Sequence, residues 1–373
     1  MTRRRVAFLY IAQPHQVLHS ISAAVELARL RPNFEVEVLA TSIPTRDEAR
    51  MLVSRLGGAL PVRLLGPGWL RALGRNQAPP PKLPVLAANL RVLSRYDVIV
   101  APERTTAAVR RMGLRRQKLV YTQHGAGDRG GPFEPRLRQF DLVFAAGAKQ
   151  RDRMLAEGLV TARTCAVVGY PKFDVVDALA EPLPRLFAED RPVVVYNPHF
   201  DPKLSSWPTW GAEVLRAFAD DGRYNLIFAP HIRLFEEAGA EDVARLAPYR
   251  EHPAIHVDLG SRAAIDMTYT RMADVYLGDA SSQIYEFLRT PKPCLFLNAH
   301  HSAWRRDESY RHWRFGPVLD RVEGVVDAVD AARAGHAAYR DEQVESFRYS
   351  FDQQPQTASV RAAEAIADVA LRP

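Results

Sequence analysis

Short apolar runs alternate with segments of helical spacing along almost the whole chain, and this alternation limits the fold more than any other feature. The first run covers residues 6–12, a helical pattern follows at 15–30, and runs such as "DVIVAP", "KLVYTQ" and "DLVFAAG" continue the series. Nearly continuous Val, Ile and Leu are typical of strands that are covered on both faces. The sequence therefore predicts an α/β protein with doubly wound, Rossmann-like parallel sheets.

The length of the chain favours two such domains. Its 373 residues exceed what one hydrophobic core usually organises. The alternation breaks at 176–190, in the polar stretch that includes "EPLPRLFAED", and restarts with "VVVYNPHF". We therefore expect a domain at 1–175, a linker at 176–190 and a second domain at 191–373, with the two domains facing each other across a cleft.

The charge and the cysteines bear on partners and location. The net charge is +7, which favours phosphates or anionic lipid as partners, although a solvated surface explains it equally well. The charge is diffuse and no recognition motif occurs, so nucleic-acid binding is not expected. No apolar run reaches the roughly 18 residues of a membrane span, so any membrane contact would be peripheral.

Cys165 and Cys294 lie in apolar runs, which predicts buried thiols in a reducing cytoplasm.

Polar residues, with one glycine among them, recur where the predicted strands end. They are Gln123, His124, Gly125, Lys172 and Asp174 in the first half, and Asn197, His199, His231, Arg233, Asp279, Ser281 and Ser282 in the second. The carboxyl ends of parallel strands lie along one edge of a doubly wound sheet, where such folds bind ligands. If the two edges face each other, His124 is expected near the polar residues of the second domain.

His124 is the candidate general base, because an imidazole titrates near neutral pH and needs only hydrogen-bond reach to a hydroxyl. The alternative is a ring that bonds only to its own loop. For His231 and Arg233 the interpretation is a pair of phosphoryl contacts, and the alternative is a surface turn.

A second candidate is the turn "GDASSQIYEFL". Asp279 ends a strand, and Ser281 or Ser282 begins a predicted helix at 281–289. Free backbone N–H groups and two hydroxyls could hold a diphosphate there, with Glu286 accepting from a polyol hydroxyl. A serine N-cap is the alternative explanation of the same pattern.

No metal ion or other cofactor is expected. His15 and His19, like His252 and His256, are spaced as a metal-binding pair, but neither pair has the HExxH context. A phosphate loop, a GxSxG elbow and an Asp-x-Asp pair are absent from the sequence, and no GxGxxG motif follows the first predicted strand. Basic side chains and helix N-termini would then neutralise a bound phosphate.

Taken in order, these motifs resemble those of the CDP-glycerol glycerophosphotransferase family of teichoic acid primases and polymerases. The matching positions are His124–Gly125, the set Gly169, Pro171, Lys172 and Asp174, the turn Asn197–Pro198–His199, the set Pro230, His231 and Arg233, and the turn Asp279, Ala280, Ser281 and Ser282. Two departures concern the donor side: Asp201 stands where the family has an arginine, and Ala280 replaces a tyrosine.

The resemblance implies a metal-independent transferase with the two-domain GT-B architecture. Its first domain would bind the acceptor and its second the nucleotide donor. His124 would be the base, His231 would contact phosphate, and the serine turn would hold the donor diphosphate. A glycerol-phosphate or related unit would pass from a CDP-activated polyol to a hydroxyl of a lipid-linked or cell-surface glycan, in the cytoplasm or at the inner face of the membrane.

Two alternatives remain open from the sequence. A GT-B glycosyltransferase or a nonhydrolysing sugar-nucleotide epimerase would use the same cleft with a nucleotide-sugar donor, but reaction would occur at a sugar carbon. A non-catalytic nucleotide-binding protein would keep the fold and lose the chemistry.

Overall fold

The chain forms two compact units in the computed structural model, which describes residues 3–72, 79–128, 133–235 and 240–372. The first unit comprises Met1–Ala126, Gly130–Ala180 and Arg348–Pro373, and the second comprises Gly127–Arg129 and Glu181–Phe347. Each unit contains one parallel sheet with helices, as the alternating pattern predicts.

The first unit is built on seven parallel strands. They are β1 (Arg4–Tyr10), β2 (Phe34–Ala40), β3 (Val62–Leu64), β4 (Val98–Ala101), β5 (Lys118–Tyr121), β6 (Leu142–Ala145) and β7 (Cys165–Val167). Their spatial order is β3-β2-β1-β4-β5-β6-β7. The order changes direction at β1, so the carboxyl ends of β1, β4 and β5 are neighbours, which is where open α/β sheets form binding crevices.

The helices of this unit cover the sheet. They are α1 (Ile21–Leu30), α2 (Ile43–Arg55), α3 (Gly68–Ala72), α4 (Lys82–Ala88), α5 (Leu90–Leu93), α6 (Ala148–Ala156) and α7 (Pro171–Ala178), with 3-10 helices at Pro14–His19, Arg104–Arg110 and Pro135–Gln139. The helix predicted at 15–30 is divided. Ser20, with φ −151° and ψ −6°, separates the 3-10 turn from α1, and its hydroxyl bonds to the Tyr10 hydroxyl at 2.9 Å.

The second unit contains six parallel strands. They are β8 (Val193–Asn197), β9 (Asn225–Phe228), β10 (Ile255–Val257), β11 (Val275–Gly278), β12 (Cys294–Leu297) and β13 (Val318–Leu319), in the order β10-β9-β8-β11-β12-β13. Its helices are α8 (Trp207–Asp221), α9 (Ala240–Ala244), α10 (Ala247–Arg250), α11 (Thr268–Met272), α12 (Gln283–Phe287) and α13 (Val325–Ala334). Four 3-10 helices lie at Arg262–Ala264, Trp304–Arg306, Glu308–Phe315 and His336–Ala338.

The second unit ends before the end of the chain, whereas the predicted second domain runs to residue 373. The second unit ends within α14 (Arg340–Ser350), and α15 (Ala358–Leu371) packs against α1 and α7 of the first unit. A domain at 191–373 would separate α15 from these partners. The apolar face of α15, which includes the buried Ile366 and Val369, explains why the chain returns to the first unit.

Candidate functional site

The imidazole of His124 is held in one orientation by the turn that follows β4. Its Nδ1 lies 2.8 Å from the carbonyl oxygen of Pro102. A carbonyl can only accept, so Nδ1 carries the proton and Nε2 is the unprotonated, basic nitrogen. No described residue donates to Nε2, and the side chain is half-buried. The tautomer is therefore the one that a general base requires.

The loop that carries His124 is fixed by side chains from its own unit. Gln123 has a left-handed backbone (φ 60°) and donates to the Phe144 carbonyl oxygen at 2.6 Å. Gln150, buried on α6, donates to the side-chain oxygen of Gln123 at 2.9 Å and to the carbonyl oxygen of Gly125 at 3.0 Å. Gln123 and Gly125, which the sequence places on the acceptor side, thus have structural contacts, and their acceptor role stays a prediction.

Three side chains near this loop are absent from the predicted set. Glu103 directly follows Pro102 and accepts from Gln16 Nε2 at 2.8 Å and from Lys82 Nζ at 2.9 Å. Glu103 could have been found by the rule that identified the others, because it lies two residues beyond the end of β4. The same rule does not select Gln16 or Lys82, since both are distant in sequence from the ends of β4 and β5.

The motif at residues 169–174 contacts the first turn of the C-terminal helix α15. The carboxylate of Asp174 accepts from the Ser359 backbone N–H and hydroxyl, both at 2.6 Å. Gly169 has φ +85°, and a Cβ there would lie 2.5 Å from Arg361 Nη2. Burial raises the pKa of Asp174, and the bonds from Ser359 oppose that shift. Lys172 is buried in the first turn of α7. The acceptor-side roles of Lys172 and Asp174 stay predictions.

Asp279 organises the carboxyl edge of the second sheet. Its carboxylate accepts from the backbone N–H groups of His199, Ser206 and Ala280 and from the Ser206 hydroxyl, at 2.7–2.9 Å. Burial raises the pKa of Asp279 to about 6, and these four donors oppose the shift. Because all four partners are protein groups, Asp279 positions the loop after β8, and any contact of its own with phosphate stays a prediction.

His199 and His231 have the opposite tautomer to His124. His199 Nδ1 accepts from the Asp201 backbone N–H at 3.0 Å, and His231 Nδ1 accepts from the Arg233 backbone N–H at 3.2 Å. Each ring in its neutral form therefore carries its proton on Nε2 and can donate. Burial, followed by the charges of His199 and Arg233, lowers the pKa of His231 to about 3, so this ring is neutral near pH 7.

The two rings and Arg233 are grouped around one aromatic side chain. The centroid of Phe200 lies 4.4 Å from that of His199 and 4.6 Å from that of His231. The guanidinium carbon of Arg233 lies 4.2 Å from the Phe200 centroid, a cation–π distance. The structure thus brings together three of the predicted donor-side residues, and it adds Phe200, which was not among the predicted site residues.

The helix that follows the serine turn is shorter than predicted. The helix expected at 281–289 is α12, which spans Gln283–Phe287. The Ser281 hydroxyl accepts from the Gln283 backbone N–H at 3.2 Å, whereas the side chain of Ser282, the N-cap residue, makes no capping hydrogen bond. Glu286 is buried on α12. The diphosphate role of Ser281 and Ser282, and the hydroxyl role of Glu286, stay predictions.

Asn197 joins the ends of two strands. It is fully buried, and its amide nitrogen donates to the Ala229 carbonyl oxygen at 2.6 Å. This bond links the last residue of β8 to the residue that follows β9. A contact of Asn197 with the donor stays a prediction.

A buried polar cluster in the second unit was not predicted. Asp128 accepts from the Tyr285 hydroxyl at 2.6 Å and from His312 Nδ1 at 3.0 Å. His312 Nε2 lies 3.0 Å from the Asp279 carbonyl oxygen, to which Trp313 Nε1 also donates at 2.9 Å. Both ring nitrogens of His312 thus lie within hydrogen-bond distance of oxygen atoms, which fixes the orientation of the ring. Contacts between residues so distant in sequence leave no local signal.

Comparison with known proteins gives a likeness of fold. No protein-family model matches the sequence, and no similar curated protein was found. The wall teichoic acid polymerase TagF superposes with a TM-score of 0.63 at 12% identity, over 98% of this chain and 88% of that chain. The UDP-GlcNAc 2-epimerase from Neisseria meningitidis has a TM-score of 0.61 at 12% identity, over 99% of this chain and 100% of that chain. The S. aureus protein MnaA superposes with a TM-score of 0.60 at 13% identity, over 98% of this chain and 95% of that chain.

The fold is GT-B-like. At 12–13% identity these matches establish architecture alone. The predicted class, two Rossmann-like parallel-sheet domains, is confirmed by the two sheets and by this likeness. Within the described ranges, no helix is long and apolar enough to cross a membrane.

Proposed function

We propose that the chain is a transferase that moves a glycerol-phosphate or related polyol-phosphate unit from a CDP-activated donor to a hydroxyl of a lipid-linked or cell-surface glycan. The observation that carries the proposal is the pair of opposite histidine tautomers. His124 offers an unprotonated Nε2, whereas His199 and His231 offer N–H donors. Phosphoryl transfer to a hydroxyl needs both, a base for the acceptor and donors for the phosphoryl oxygens.

The step follows from these roles. The acceptor oxygen bonds to the β phosphorus of the donor while the bond from that phosphorus to the bridging oxygen breaks. CMP leaves with the electron pair of that bond, and the hydroxyl proton passes to His124 Nε2. The Nε2–H of His231 and the guanidinium of Arg233 stabilise the phosphoryl oxygens, and Asp279 holds the loop that carries His199. The reaction would take place in the cytoplasm or at the inner face of the membrane.

The solved structures support a nucleotide-activated donor. A histidine variant of the TagF polymerase has been solved after a soak with CDPG, the Neisseria epimerase with UDP-GlcNAc and MnaA with UDP. UDP-GlcNAc 2-epimerisation is therefore the second candidate function. The epimerase structures match this chain about as well as the TagF structures do, with TM-scores of 0.61 and 0.63 for the two examples.

Product analysis distinguishes the two candidates. The purified protein is incubated in EDTA with CDP-glycerol and a glycerol-phosphate-primed glycan, or with UDP-GlcNAc alone. CMP release that depends on the acceptor supports the transferase. Conversion of UDP-GlcNAc to its 2-epimer, without CMP release from CDP-glycerol, supports the epimerase and overturns the transferase.

Two variants test the assigned residues. His124→Ala is expected to lower kcat for CMP release by about 10²–10⁴-fold, the usual contribution of a general base, with donor affinity unchanged. His231→Ala is expected to weaken donor affinity as well as kcat. His252→Ala is the control, since the His252 ring accepts from the nearby Ala254 backbone N–H at 3.3 Å and has no place in the proposed reaction. Wild-type turnover in His124→Ala would remove that residue as the base.

A further inference from the structure

Glu103 is a buried carboxylate to which neither the sequence nor the proposed reaction assigns a role. It lies two residues beyond β4 and is 8% exposed. Carboxylates are rarely enclosed in this way unless they are paired, because burial disfavours their charge.

The contacts of Glu103 keep it ionised. Gln16 Nε2 donates to Oε1 at 2.8 Å, and the Lys82 ammonium donates to Oε2 at 2.9 Å. Burial alone would raise the pKa of Glu103, but the charge of Lys82 and these two hydrogen bonds outweigh it, so the pKa lies below its ordinary value. Both oxygens accept, as expected for a carboxylate rather than a carboxylic acid.

The same turn orients His124 and carries this charge. Ala101 of β4 pairs with Tyr121 of β5, so the turn after β4 and the loop after β5 leave the sheet side by side. The carbonyl oxygen that fixes His124 Nδ1 belongs to Pro102, the residue immediately before Glu103. One short segment therefore orients the His124 ring and also carries a buried carboxylate.

We propose that Glu103 is a positioning residue for His124: its carboxylate, fixed by Gln16 and Lys82, stabilises the imidazolium that forms when Nε2 takes the proton of the acceptor hydroxyl. This inference rests on the proposed function, in which His124 is the base. Glu103 itself neither takes the proton nor touches the acceptor. It acts through charge, and the Pro102 carbonyl acts through orientation.

The charges around His124 determine the direction in which each substitution should shift its pKa. Burial lowers the pKa of His124, Glu103 and the bond to Pro102 raise it, and Arg104 and Lys82 lower it. His19, a further titratable neighbour, is buried and has its own pKa lowered, first by burial and then by Lys172 and His124. Removing the Glu103 charge should therefore lower the pKa of His124, and removing the Lys82 charge should raise it.

The direct test is a titration of His124 by NMR in the full-length protein labelled with ¹³C-histidine, with the signal assigned from His124→Ala. We expect Glu103→Gln to move the midpoint of His124 to lower pH and Lys82→Met to move it to higher pH. Glu35→Gln is the matched control, since this strand residue pairs with Arg3 and Arg5 on the partly exposed side of β2. A merely structural Glu103 would change stability without producing opposite shifts.

Kinetics supply the second measurement. With CDP-glycerol as donor, the acidic limb of the kcat/KM profile should follow the NMR midpoint of each variant. A less basic His124 should also lower kcat roughly tenfold in Glu103→Gln, with donor affinity unchanged. An unchanged or raised midpoint in Glu103→Gln, or a lowered midpoint in Lys82→Met, overturns the inference. Shifted midpoints without turnover of any nucleotide donor would instead overturn the proposed function and leave the Glu103–His124 coupling established.

Discussion

The carboxylate of Asp279 is fully enclosed, and each of its oxygens accepts two hydrogen bonds. A chain that buries a carboxylate must supply such donors, since an unpaired charge there would cost several kcal/mol. Because of these hydrogen bonds, the loop after β8 and the start of α8 are held at the end of β11. This single residue thus sets the backbone from which His199 projects.

Asp279→Asn is expected to destabilise the protein, because the new amide nitrogen would face backbone and hydroxyl donors. The loss should be about 2 kcal/mol at pH 7. The folded pKa is about 6 against the ordinary 3.8, so the unfolded chain releases its proton first as the pH rises. The contribution of Asp279 to stability is therefore largest below about pH 4 and falls until about pH 6.

Denaturant titrations at pH 4, 5 and 7 check this expectation. The advantage of the wild-type protein over Asp279→Asn should grow by about 3 kcal/mol as the pH falls from 7 to 4, the equivalent of a shift of roughly two pKa units. Asp190→Asn, at an exposed position, is the control. A difference that is constant across this range would contradict the raised pKa.

At the scale of elements, α6 shows how a helix can support a neighbouring loop. Gln150 is 1% exposed and donates to two positions beside His124, while its own oxygen accepts from the Ala146 backbone N–H at 2.8 Å. Lys149 adds a bond from Nζ to the Ala126 carbonyl oxygen at 2.9 Å. The glycine-containing loop therefore has a fixed path, and the orientation of His124 follows from it.

Gln150→Leu is expected to release this loop, because the oxygens of Gln123 and Gly125 and the Ala146 N–H lose their partner. Unsatisfied buried groups of this kind cost about 1–3 kcal/mol. Hydrogen exchange at residues 123–126 should accelerate, while exchange in β8 and β11 stays as in the wild type. Gln353→Leu, an exposed exchange of the same kind, is the control. Equal protection of the loop in both variants would show that Gln150 does not hold it.

At the scale of the whole molecule, the chain passes between its two units at four points. The crossings follow residues 126, 129, 180 and 347. No single cut therefore separates the two units, and a fragment covering 191–373 would carry α15 without α1.

Deletion of residues 353–373 is expected to unfold the first unit selectively. It removes α15, whose buried face includes Ile366 and Val369, and each fully buried side chain of this size contributes about 1.5–3 kcal/mol. The total approaches the 5–15 kcal/mol that stabilises a typical domain. Amide protection should disappear in β1 and α1 and persist in β8 and β11. A chain ending at Leu371 is the control, and unchanged protection of β1 would contradict the assigned packing.

The residues that sequence reasoning identified are those with a local signature. The apolar runs predict the strands closely. His124 was found because it follows a buried strand in a glycine-containing loop. Where a local bond interrupts a pattern, as Ser20 does before α1, the predicted helix was too long.

The sequence by itself determined the class of fold, the two parallel sheets and the set of polar residues at their carboxyl ends. These depend on hydrophobic periodicity, which is written in neighbouring residues. Only the tertiary structure decided which of those residues turn inward, as Asp279 and Asp174 do, and which distant ones meet, as Gln16 and Glu103 do beside His124. The physical reason is that such pairs are selected by strand order and burial, and no pattern along the chain records a contact across 87 residues.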